Sequence, residues 1–124
     1  MSIYTNIKAL ITPFIDGVDV FFDGLPESPI TALAIGVTSG MIERRQGVSC
    51  IEYRIRLISR NDNPNTAREI LYSIYNGIEG RTNFHAELDS FVSLFFDGPP
   101  VLRGRGVGGE ATYTILLTVK RREM

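Results

Sequence analysis

Ile3, Ile7, Leu10, Ile11 and Phe14 recur three and four residues apart, a spacing that puts them on one face of a helix. Ser2 is suited to cap it, Pro13 marks a last turn or a kink, and Asp16-Gly17 ends it. Residues 18–22, Val-Asp-Val-Phe-Phe, predict a short strand, and Asp23-Gly24-Leu25-Pro26 with Pro29 is turn chemistry. Residues 30–38 are almost all apolar or threonine, as in a strand buried on both faces. A loop is expected from Ser39-Gly40 to Gly47, carrying Glu43, Arg44 and Arg45.

The clearest strand covers 48–59. Ile51, Tyr53, Ile55 and Leu57 alternate with Glu52, Arg54 and Arg56, so one face packs on a core and the other meets water or a partner. Asn63 is a good N-cap and Pro64 suits the first helical position. Ala67, Ile70, Leu71, Ile74, Tyr75 and Ile78 form the stripe of a second helix over 64–79, which Asn76-Gly77 or Gly80 stops. Residues 81–90 are ambiguous and 91–97 read as a strand. The glycine-rich stretch 98–110 reads as a flexible connection, with Arg103 and Arg105 inside it. In the closing strand, 111–121, Tyr113, Ile115, Leu117 and Val119 point to the core.

Runs of neighbouring strands with helices set apart imply an α+β fold. The expected architecture is a mostly antiparallel sheet of about four to five strands with two helices on one face. At 124 residues the chain has the size of a single domain, 1–124. Val20-Phe21-Phe22-Asp23-Gly24-Leu25-Pro26 echoes Leu94-Phe95-Phe96-Asp97-Gly98-Pro99-Pro100, but the flanks do not match. Two strand ends running into Asp-Gly turns account for the echo.

Composition narrows the function. The 13 basic and 14 acidic residues leave a net charge of −1, so no global field recruits nucleic acid or a membrane surface. Cys50 is the single cysteine and fits a reducing compartment. No leader pattern or apolar run of membrane length is visible, which predicts a protein made in a cytoplasm.

Candidate chemistry is sparse. Gly104, Gly106 and Gly109 satisfy G-x-G-x-x-G, but a strand-like segment follows them where a nucleotide site needs a helix. His85 is the only histidine and has no recognisable partner for nucleophilic catalysis. One cysteine and one histidine make no metal cluster, and Glu87 with Asp89 is an ordinary acidic pair. The sequence therefore predicts no catalytic, cofactor or metal site. The candidate contact residues are Glu52, Arg54 and Arg56 on the polar strand face, with Arg103 and Arg105 in the glycine-rich stretch.

The strand Ile51–Arg60, the polar Asn-Asp-Asn-Pro-Asn turn, the helix Thr66–Gly80, the Pro-Pro-Val-Leu turn and the closing strand Tyr113–Val119 form one pattern. Taken together with the N-terminal helix and Gly-Leu-Pro, it resembles the tail terminator, or minor capsid, proteins of siphophages that infect Gram-positive bacteria. The resemblance covers most of the chain and rests on the order of elements. It implies a non-enzymatic subunit without cofactor, a homo-oligomer that as a hexameric ring caps the phage tail tube. It also implies a place in the virion neck, with the tail tube protein and the head connector as partners and DNA only as passing cargo. An alternating Arg and Glu face suits such a role, because charge can set register between subunits. Two other readings stay open: a nucleic-acid-binding module using Arg54, Arg56, Arg103 and Arg105, and an enzyme subunit whose site a partner completes.

Overall fold

A computed structural model describes residues 3–15, 17–45, 48–78, 82–86 and 89–122; side chains are described for these except 39, 41–45, 48–49, 82–86, 89–92 and 122. The elements run α1 (Ile3–Ile11), a 3₁₀ turn (Thr12–Phe14), β1 (Val20–Phe22), β2 (Ala32–Arg45), β3 (Val48–Asn61), α2 (Pro64–Ile78), β4 (Thr82–Ala86), β5 (Asp89–Phe96), β6 (Val101–Arg105) and β7 (Ala111–Arg122). The fold is α+β. Its sheet has seven strands in the order β1-β2-β3-β7-β5-β4, with β6 also on β7. Every pairing is antiparallel except β1 with β2, which is parallel.

The period-two pattern sets the faces. Cross-strand partners share a face, so Val37–Ile55–Leu117 and Ile35–Leu57–Ile115 are lateral rows on one side. Ile55, Leu57, Ile115, Leu117 and Val119 are buried there, with Tyr53 and Tyr113 packed at the margin. Ile7, Leu10 and Ile11 of α1 and Leu71, Ile74 and Ile78 of α2 close over the same side. Both helices therefore lie on one face, in the register that the alternation predicts. Each fully buried Ile or Leu contributes roughly 1.5–3 kcal/mol.

Local chemistry at the helix ends follows the sequence in part. The Asn63 side chain accepts from the Asn65 amide at 3.0 Å, which is the expected N-cap. Pro13 sits in the 3₁₀ turn that finishes α1. Gly77 does not stop α2; it lies inside the last turn, against the ring of Phe14. The cap at Ser2 and the stops at Asp16 and Gly80 lie outside the described residues.

The strand count, seven, is somewhat above the expected four to five and compatible with the same architecture. Two expectations are corrected. Residues 40–45, read as loop, continue β2, which pairs with β3 as far as Arg45↔Val48. A hairpin ladder needs no burial to persist, so glycine and charge did not end it. Residues 101–105, read as part of a flexible connection, form β6 on the edge of β7. The ambiguous segment 81–90 contributes β4 and the start of β5. The two Asp-Gly echoes are both strand ends, as their turn chemistry predicts.

Candidate assembly surface

Among the described residues, both helices lie on one side of the sheet and the other side carries no helix. Gly36–Arg56–Leu116 and Ser39–Arg54–Thr118 are lateral rows on this face, with Phe95 continuing the second, and Glu52–Lys120 is the next row. Arg54 is exposed, and Glu52 and Arg56 are half-buried. Three of the predicted contact residues thus line one strand on the open face.

Charges on this face are partly matched within the chain. Arg54 lies 3.6 Å from the Asp97 carboxylate, and Thr118 Oγ1 donates to the same carboxylate at 3.2 Å. A polar row therefore crosses β3, β7 and the end of β5. Arg56 Nε is buried and has no hydrogen-bond partner among the described residues. Apolar side chains interleave with the charges: Phe95 is 48% and Val101 50% exposed on the same side.

At one end of the face a segment is held down. Arg60 donates through Nε to Ile30 O at 2.7 Å and through Nη2 to Pro29 O at 3.0 Å, and also to Pro26 O. The connection from β1 back to β2 is thereby fastened across the sheet. Arginine suits this because its planar fork offers several donors in fixed directions.

β5 and β6 share one edge of β7, since β3 occupies the other edge along its whole length. The Asp97 amide still donates to Leu116 O at 2.9 Å, after which the chain leaves the edge at Gly98-Pro99-Pro100 and returns at Val101. A shallow cavity of about 210 Å³ lies at this break, between Asp97, Pro99, Val101, Arg103 and Leu116. Arg103 sits at a bulge and donates through Nε to Thr114 Oγ1 at 3.0 Å, which puts it on the open face. Arg105 pairs with Ala111 on the helix side. The structure brings Glu52, Arg54, Arg56 and Arg103 to one face and separates Arg105 from them. Asp97 and Lys120 belong to the same surface: the register of β3 on β7 sets Lys120 beside Glu52, and the end of β5 on β7 brings Asp97 there.

The turn after β6 is compact. The Gly106 amide donates to Glu110 O at 2.8 Å and the Gly109 amide to Gly106 O at 3.1 Å. Gly109 has φ 90°, a left-handed conformation that favours glycine, and Val107 stands fully exposed at the tip. The G-x-G-x-x-G glycines thus serve a strand–turn–strand hairpin.

No described group of three or more His, Cys, Asp or Glu residues could hold a metal. Cys50 is a half-buried free thiol. The His85 and Asp89 side chains and all of Glu87 fall outside the described set. No described helix is long and apolar enough to cross a membrane.

No family model matches the chain, and no curated protein matches it. Among solved structures, a chain of the virion of a native gene transfer agent particle shares the fold at 13% identity and a TM-score of 0.55, over 97% of this chain and 91% of that one. This chain has the fold of that virion component along almost its whole length.

Proposed function

We propose that the protein is a structural component of a phage-like virion, and within it the tail terminator. It forms a ring, in the hexameric form of the family it resembles, that caps the tail tube and meets the head connector in the neck. The observation that carries this reading is the fold held in common, over 97% of the chain, with a component of a gene transfer agent virion. The surface supports it: an open sheet face with interleaved charged and apolar side chains is suited to contact between proteins. DNA passes through the ring as cargo. A dedicated nucleic-acid site is disfavoured because Arg54 is paired with Asp97 and Arg105 lies on the other side from Arg103. The test is removal of the gene. Particles lacking the protein should give tubes of uncontrolled length and heads without tails. Normal tails in its absence would refute the terminator role.

A further inference from the structure

The pairing registers align two free edges. Val20–Leu33–Ser59–Tyr113–Leu102 and Phe21–Ala34–Ile58–Thr114–Val101 are single lateral rows across β1, β2, β3, β7 and β6. At these rows β1 and β6 are the opposite edges of one five-strand band. Among the described residues, β1 pairs only with β2 and β6 only with β7.

The two edges differ in charge. All five residues of β6 are exposed, with Arg103 and Arg105 among them, and Val101 and Leu102 are 50% and 42% exposed. On the β1 side, Asp19 and Asp23 flank the strand and are exposed, beside Phe22 at 46%. One edge is basic and apolar, the other acidic and apolar.

We infer that β6 of one copy pairs antiparallel with β1 of the next, so that the sheets of successive copies join head to tail. The direction follows from the topology. β1 runs with β2, against β3, with β7 and against β6, so continuing the sheet unturned sets β6 antiparallel to the neighbour's β1. Like edges repel and unlike edges attract, which disfavours two-fold pairing of β6 with β6 or β1 with β1. Charged residues on an edge strand commonly guard it against pairing. Here the guard is selective, because the matching charge sits on the far edge of the same chain. A heterologous contact of this kind closes into a ring when its rotation permits. The twist between neighbouring strands supplies rotation at every step. The inference deepens the proposed ring by naming its subunit contact, and it rests on that reading.

The test uses purified full-length protein at low ionic strength. Arg103→Glu/Arg105→Glu makes both edges acidic, and Asp19→Lys/Asp23→Lys makes both edges basic. Sedimentation equilibrium should show wild-type self-association, weakened at least about tenfold in each variant alone and by added salt. Mixing the variants should restore association, since each then offers the edge that the other lacks. Circular dichroism checks folding; should a double variant not fold, Arg105→Glu and Asp19→Lys replace them. A wild type that stays monomeric into the millimolar range, variants that associate like wild type, or a mixture that does not recover overturns the inference. None of these readouts needs a virion. Failure of the edge contact is thus distinguishable from absence of the protein from particles.

Discussion

The ring of Phe14 lies directly over Gly77: a Cβ added at Gly77 would come within 2.2 Å of Phe14 Cε1. The contact fastens the end of α1 to the last turn of α2. Helix propensity alone favours alanine over glycine by about 1 kcal/mol. Overpacking against a half-buried ring costs roughly 1–3 kcal/mol, and it should win. Gly77→Ala is therefore expected to destabilise by about 1 kcal/mol in urea unfolding. In a Phe14→Ala background the same change should be neutral or stabilising.

Arg60 gives a second test. Its three bonds to the carbonyls of Pro26, Pro29 and Ile30 hold the crossover between β1 and β2. Arg60→Ala should cost about 2–3 kcal/mol, since net contributions from a charged donor are roughly 1.5 kcal/mol per bond and partly overlap. Arg60→Lys should recover less than half, because an ammonium cannot reproduce the fork. Limited proteolysis should cut between 24 and 31 in both variants faster than in the wild type.

The Tyr4 hydroxyl donates to Asp23, and that hydrogen bond, with burial and the carboxylate charge behind it, raises the Tyr4 pKa above its ordinary value of 10.0. The folded state thus holds the phenol proton more tightly than the unfolded chain does. The resulting stabilisation is complete below pH 10.0 and is lost as pH rises through the raised folded value. Thermal unfolding of the wild type should therefore fall with pH above that point. Tyr4→Phe should start lower at neutral pH and show a flatter alkaline decline.

Arg54 and Asp97 form a surface pair at 3.6 Å, with side chains 60% and 37% exposed. A pair this exposed contributes below about 1 kcal/mol and is screened by salt. Asp97→Asn should lower stability by less than that in low salt and by nothing measurable in 1 M salt (roughly a 3 Å screening length). A larger loss would mean that Asp97 has a structural role beyond this pair and the Thr118 bond.

Much of the fold was legible. The alternation at 51–57 and 113–119 fixed the register, and the stripe Ala67, Leu71, Ile74 and Ile78 fixed the covering helix. Burial on one face leaves a periodic signature, and these elements have it. β6 has none: its five residues are all exposed, and its order comes from backbone pairing with Ala111–Thr114. Glycine content therefore suggested a loop where an edge strand exists. The strand at β1 was readable from residues 18–22, but its parallel pairing with β2 was not, because that partner is set by a crossover that Arg60 fastens from far along the chain. Among contact candidates, Glu52, Arg54 and Arg56 were readable from alternation. The bulge that turns Arg103 onto the open face and leaves Arg105 on the other was not, since a one-residue slip reverses side-chain direction without changing composition.

A ring formed at one place in a particle can be seen by imaging the neck. Electron microscopy of purified virions should show this chain as a single ring between the end of the tail tube and the head connector. Its absence from particles, or its repetition along the length of the tube, would contradict the account.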